Sequence, residues 1–258
     1  MSSQTNVYPA NKTFLLYLYF ILLTSLSFNN YAADRWHELT PGIEYQDLEG
    51  GLLTPWSHVH VFRIDLKQNK LALVTAKNLA VKNASADQFA EQSKALVSIN
   101  GGFFDQDFKP LGLRINNKKL ENPLKKISWW GIFYVKNNTP FISHVRHFRQ
   151  DDDEIDFAIQ SGPRLLIKGK IPSLKDGVAD RSALGITAEG KVIILVSTNA
   201  AMTTGELANL LKSPPLNCTD AINLDGGSSS QLYAHINSFQ LNVHGFSNVS
   251  DAIVVKKL

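Results

Sequence analysis

Residues Ala221-Ile222-Asn223-Leu224-Asp225-Gly226-Gly227-Ser228-Ser229-Ser230 run from an apolar strand into one carboxylate, then into five residues without a bulky side chain. The first half demands burial in a sheet. The second half lets the backbone turn sharply and approach a ligand, because glycine has no Cβ. Asp225 is therefore expected at a strand end, beside backbone N–H groups able to form an anion-binding nest. A second segment repeats the pattern, with Val97–Asn100 running into Gly101-Gly102. A capping box precedes each strand: Ser85-x-x-Gln88 starts one helix, and Thr203-x-x-Glu206 starts another that Pro214 stops. Two helix-fed strands would thus deliver two polar–Gly–Gly turns to one cleft.

From Asp34 to Leu258 the chain reads as one domain, with no Pro/Gly/Ser-rich linker and no repeat. Alternation and β-branched content predict strands over Val59–Leu66, Lys70–Ala76, Val97–Asn100, Gly131–Val135, Phe157–Gln160, Ser182–Thr187, Lys191–Ser197, Asp220–Leu224, Gln231–Ile236 and Ala252–Lys256. Turns at Asn69 and at Glu189-Gly190 predict hairpins between the first pair and between Ser182–Thr187 and Lys191–Ser197. The expected class is α+β: mixed, mostly antiparallel sheets with a few packed helices. A net charge of +3, dispersed along the chain, gives no nucleic-acid surface. The single cysteine, Cys218, cannot form an internal disulfide and reads as a small buried hydrophobe. Residues 1–33 place Lys12 before the apolar run Phe14–Leu23 and the small pair Ala32-Ala33. This is the order of a signal peptide, or of an N-terminal membrane anchor if residues 13–30 are retained. Export to a periplasmic or extracellular space is expected, with membrane contact through that segment alone.

Four constellations can carry chemistry. Asn100-Gly101-Gly102 offers a donor and an acceptor at a strand end; Phe103 and Phe104 after it read as core plugs. Ser161-Gly162-Pro163-Arg164 presents an arginine after a bend, and Asp180-Arg181 begins a strand with another. Arginine's planar fork matches phosphate or carboxylate. The fourth is Asp225 with Gly226, Gly227, Ser228 and Ser229. Asp105 and Asp180 are candidates for a second carboxylate, although Asp180 can simply pair with Arg181. The acidic run 151–154 reads as a solvated loop. His58 and His60 share one strand face and form a possible metal pair; with no third ligand at recognisable spacing, they read as an edge-strand surface.

The strings SINGGFFD, QSGPRLLIKGK, DRSALGIT and INLDGGSSSQLY, in this order, resemble the phosphodiester glycosidase family from about Val59 to Val255. The resemblance implies hydrolysis of the anomeric C–O bond of an α-linked sugar-1-phosphodiester within a phosphorylated glycan. Carried over by motif, it places Asn100, Gly101, Gly102, Ser161, Gly162, Arg164, Arg181, Asp225, Gly226, Gly227, Ser228 and Ser229 in the site. Asp225 would answer the positive charge on the sugar, and Arg164 and Arg181 the negative charge on the leaving phosphate, with Asn100 orienting the sugar or the phosphate. No cofactor is called for, and a structural or catalytic divalent metal is left open. A metal-dependent phosphodiesterase cutting P–O and a non-catalytic carbohydrate-binding module are the alternative readings.

Overall fold

The computed structural model describes residues 36–48 and 55–258; the expected leader, 1–33, lies outside the described residues. The first strands are β1 (His37–Thr40), β2 (Ile43–Asp47), β3 (His58–Ile64) and β4 (Asn69–Thr75), followed by helix α1 (Ala86–Ser93) and β5 (Val97–Asn100). The middle of the chain forms β6 (Arg114–Asn116), β7 (Lys119–Asn122), β8 (Gly131–Lys136), β9 (Thr139–His144), β10 (Ile155–Ser161), β11 (Arg164–Leu166), β12 (Ser182–Thr187) and β13 (Val192–Thr198). Helix α2 (Thr204–Lys212), β14 (Cys218–Asn223), β15 (Leu232–Ile236), β16 (Phe239–Val243) and β17 (Asp251–Lys257) complete it.

The strands form three sheets, in the orders β1-β2-β3-β13-β12-β14-β11, β7-β6-β10-β8-β9 and β16-β15-β5-β17-β4. Every pairing of these strands is antiparallel. All three sheets contribute to one core. Phe62 and Ile194 come from the first, Phe133 and Ile159 from the second, and Leu73, Ile99 and Ile253 from the third. Each fully buried side chain of this kind contributes about 1.5–3 kcal/mol.

Both helix caps form. Thr203 accepts from the Glu206 amide while the Glu206 carboxylate accepts from Thr203 N; at the other helix Gln88 Oε1 accepts from Ser85 N, and the Gln88 amide donates to Asp87 Oδ1. α2 lays Leu207 and Leu211 on the outer face of the seven-stranded sheet, against Leu165, Ala183, Leu195 and Ala221. That second covering explains why β12 and β13 are apolar on both faces instead of alternating. α1 sets Phe89 and Ala90 on the outside of the sheet containing β5 and β17.

The Glu189-Gly190 hairpin is present, with Ile186 opposite Val192 and Gly190 at φ +76°. The hairpin expected at Asn69 is not. β3 pairs with β2 and β13, whereas β4 pairs with β17 in another sheet. At that corner the amides of Gln68 and Asn69 both donate to Asp65 O, and the chain crosses between sheets so that Ile64 and Leu71 enter the shared core from different sides. His58 and His60 likewise do not lie on an edge, because β3 is flanked on both sides. Strand β7 (Lys-Leu-Glu-Asn) was missed because it is short, polar and largely exposed; β16 was missed although it alternates, with Phe239, Leu241 and Val243 toward the core and Gln240 and Asn242 exposed.

Cys218 is buried, and burial together with the nearby Asp220 charge pushes its thiol up to about 12. Its Sγ packs so closely on Gly185 that a Cβ there would lie 2.5 Å away. The native protein should therefore resist thiol reagents at pH 8, and a disulfide reagent titrated against urea should report labelling that tracks global unfolding. Rapid labelling of folded protein would contradict this burial.

Candidate active site

The two polar–Gly–Gly turns meet. The Asp225 amide donates to Gly101 O at 3.3 Å, and Asn100 Nδ2 donates to Asp225 O at 2.7 Å and to Gly101 O at 3.3 Å. Asn100 Oδ1 accepts from Ser182 Oγ at 2.7 Å and from Gln231 N at 3.3 Å. Asn100 is thus fully buried with both ends of its carboxamide engaged. Its carboxamide is engaged within the chain and positions Asp225, where the expected role was to orient the sugar or the phosphate.

The turn around Ser161 and Gly162 joins the same strand end from the other side. Asn223 donates from its amide to Pro163 O and from Nδ2 to Gly162 O, at 2.9 and 3.2 Å. Ser161 is buried with its hydroxyl unpartnered among the described residues.

Behind the junction stands a pair the sequence reading missed. Arg114 and Asp251 are both fully buried, with Nε 3.1 Å from Oδ2. The Arg114 guanidinium also donates to the carbonyls of Leu113 at 3.1 Å and Gln160 at 3.2 Å. This explains Gly101-Gly102. A Cβ on Gly101 would stand 1.7 Å from Asp251 Oδ1, and one on Gly102 2.8 Å from an Arg114 nitrogen. The available signal was a lone arginine in the apolar run Leu111–Ile115, and a lone aspartate opening Asp251–Val255. A charge in an apolar strand needs a partner.

Asp225 is half-buried, and its carboxyl is held above the usual aspartate value near 3.8. Burial is the main cause. The Ser229 hydroxyl and the Gly226 amide oppose it, the Asp251 charge adds to it, and Arg114 pulls back. The proposed nest is largely occupied from within. Gly226 N donates to Asp225 Oδ1, Gly227 N to Asp180 O, Ser229 N to Gly226 O and Ser230 N to Gly227 O.

The two arginines separate. Arg164 lies opposite Ile222, its stem against Gly131; burial lowers its pKa and the Asp220 charge opposes this. Arg181 stands next to the Gly226 turn. Its Cδ is 4.0 Å from where a Cβ on Gly226 would stand, with Nε donating to Met202 O at 2.8 Å and Nη2 to Gly177 O. Its Nη1 has no acceptor among the described residues.

Asp180 does not pair with Arg181; its carboxylate accepts from Ser197 Oγ at 3.3 Å and Ala200 N at 3.1 Å. Asp105 accepts from the amides of Asp107 and Lys109 in its own turn. In both carboxylates these bonds fall on Oδ1. Phe103 stacks on Trp130 and Phe104 on Phe108, as plugs. In the acidic run, Asp152 and Glu154 clasp Lys136 while Asp151 stays exposed. A cleft of about 510 Å³ opens beside the Gly227 turn, lined among others by His60, Asp180, Ser197, Ser230 and His244.

The sequence profile of phosphodiester glycosidases matches residues 93–256, well over half of the chain, and spans every turn just described. The chain belongs to the phosphodiester glycosidase family. An Escherichia coli K12 relative, the uncharacterised protein YigE, is 33% identical over 121 residues, covering 42% of this chain and 47% of the relative. The chain thus matches about half the length of that relative. Among solved structures, the catalytic domain of zebrafish N-acetylglucosamine-1-phosphodiester alpha-N-acetylglucosaminidase, auto-inhibited by its pro-peptide, shares the fold. Its TM-score is 0.64 at 20% identity, over 88% of this chain and 87% of that one. A hypothetical protein from Synechocystis also reaches 0.64, at 16% identity over 88% and 64% of the respective chains. The folds agree where the sequences have largely diverged.

If Asn100 is the clamp of this junction, Asn100→Ala leaves Ser182 Oγ and the Asp225 carbonyl buried without partners. Such groups cost roughly 1–3 kcal/mol each. Urea unfolding should show a loss of about 2–4 kcal/mol; a loss below that range would mean the clamp is dispensable.

Proposed function

We propose that this member hydrolyses the glycosidic C–O bond of a sugar-1-phosphodiester, acting after export on an envelope or extracellular glycan. The observation that carries the reading is the junction itself. A single half-buried carboxylate, Asp225, is fixed at a strand end by reciprocal hydrogen bonds to the Asn100-Gly101 turn. Breaking an anomeric C–O bond builds positive charge on the ring, which Asp225 answers as nucleophile or as base for water. The leaving group is a phosphate monoester, already a stable anion, and it gains from a fixed cation. Arg181 fills that role, since carbonyls hold two edges of its guanidinium and leave Nη1 for the phosphate. A preorganised donor of this kind is typically worth about 3 kcal/mol. Arg164, opposite Ile222 on the β11–β14 edge, is the second cation available to that phosphate.

Product analysis tests the bond. Incubation with an N-acetylglucosamine-1-phosphodiester, followed by NMR, should yield free N-acetylglucosamine and a phosphomonoester. Sugar-1-phosphate would instead mean P–O cleavage, and tight binding without turnover across a glycan panel would mean a binding module.

Asp225→Asn should lower kcat/KM by on the order of 10³ or more. Stability should move the other way. The folded pKa of Asp225 is raised, so its contribution to stability is complete below the unfolded value and lost as pH rises through the folded one. At pH 7 the ionised carboxylate therefore weakens the fold, and Asp225→Asn should melt at the same or a higher temperature, with the advantage vanishing in acid. The wild-type acid limb of kcat/KM should lie above 3.8. Near-normal activity in the folded variant would remove Asp225 from the mechanism.

A further inference from the structure

The spacing of His58 and His60 alone favours an edge-strand surface over a metal pair for want of a third ligand, and the fold brings Asp47 to that position. Asp47 ends β2 directly opposite His60 in the β2–β3 ladder, so both side chains leave the same face of the sheet. His58, two residues earlier in β3, shares that face, its ring stacked on His60 at 5.3 Å and 7°. Asp47 Oδ2 lies 2.8 Å from His58 Nδ1 and 3.7 Å from His60 Nδ1, and donor atoms of all three residues fall within 4.8 Å of one another. In a tetrahedral zinc site with bonds near 2.0–2.1 Å, neighbouring donors stand roughly 3.3 Å apart. The observed spacing brackets that value.

Three further observations favour a cation here. Among the described residues, Asp47 has the two histidines as its ion-pair partners and no lysine or arginine. Its Oδ1 is buried with no hydrogen-bond partner among the described residues. Tyr45 places its hydroxyl 2.8 Å from His60 Nδ1, a contact that an ion taking that nitrogen displaces. β3 is held between β2 and β13, so the backbone carrying both imidazoles is fixed by ladders on each side.

We propose that Asp47, His58 and His60 form a site for one divalent transition-metal ion of the zinc class. Two imidazoles and one carboxylate suit zinc, and three protein ligands leave a position open. His60 also lines the cleft beside the Gly227 turn, so an ion held there would sit at the margin of that cleft. The proposal stands independently of the glycosidase reading, because it concerns binding alone.

The test uses the untagged full chain, stripped of metal by a chelator. Zinc chloride is titrated by calorimetry, and cobalt(II) by visible absorbance. One equivalent of zinc and the d–d bands of a tetrahedral cobalt site are expected. His58→Gln and Asp47→Asn should each raise the dissociation constant by roughly 100-fold or more, with apo melting temperatures close to wild type. If one variant misfolds, the other and the wild-type cobalt spectrum decide. No zinc binding by folded wild type overturns the proposal. So does binding that persists unchanged in both variants, which would place the ion elsewhere, for instance at His144 and His147, whose rings lie 6.0 Å apart.

Discussion

The buried pair Arg114–Asp251 is the constraint on which the rest of this structure turns. It ties β6, in one sheet, to β17, in another, and both partners are completely removed from solvent. Burying two charges costs several kcal/mol per ion before their attraction is counted, so the pair is not a simple source of stability. Its value is geometric. Once formed, neither partner can be lost without stranding a charge, at about 3–5 kcal/mol. The chain around it is shaped accordingly: Gly101 and Gly102 pass the pair with no room for a side chain, and the Gly101 amide donates to the Asp251 carbonyl. Burial is the main reason the Asp225 carboxyl is raised; the Asp251 charge adds to it and that of Arg114 subtracts, so the pair sets the path of the turn and only trims the protonation of the acid beside it.

Much of the scaffold was legible because it obeys local rules. The capping boxes at Ser85 and Thr203, the Gly190 hairpin and the apolar strands of the central core follow from residue type and spacing. What local rules cannot express is which sheet a strand joins. Lys70–Ala76 has the composition of a hairpin partner for β3, and its actual pairing with β17 is decided more than 180 residues away along the chain, by packing. The site divides in the same way. The glycines marked where turns converge, but the direction of a long side chain depends on surroundings that the sequence does not show. Arg164 and Arg181 look alike after their turns, and the fold lays the stem of one against Gly131 and sets the other on two carbonyls. Asp47 escaped notice because the strand carrying it is short and only pairing brings it to His60.

Strand ends from three sheets meet at the junction, and ladders no longer satisfy the backbone there. Carboxamides take over. Gln160 accepts from the amides of Leu113 and Lys125 and donates to Lys125 O; Gln231 accepts from Ala86 N and donates to Ser247 O. Asn100 likewise donates to Asp225 O and Gly101 O and accepts from Ser182 Oγ and Gln231 N, and Asn223 donates to Gly162 O. All four are buried. A carboxamide carries both donor and acceptor on a neutral group, so it can join irregular backbone without the desolvation cost of a charge. Stitching by neutral groups has an electrostatic consequence. Beside these dipoles stand the formal charges of Arg114, Asp251 and Asp225, with the Arg181 guanidinium next to the Gly226 turn. Asp225 is the member of that trio not locked in an ion pair, so its charge is the one of the three that a ligand entering the junction would meet.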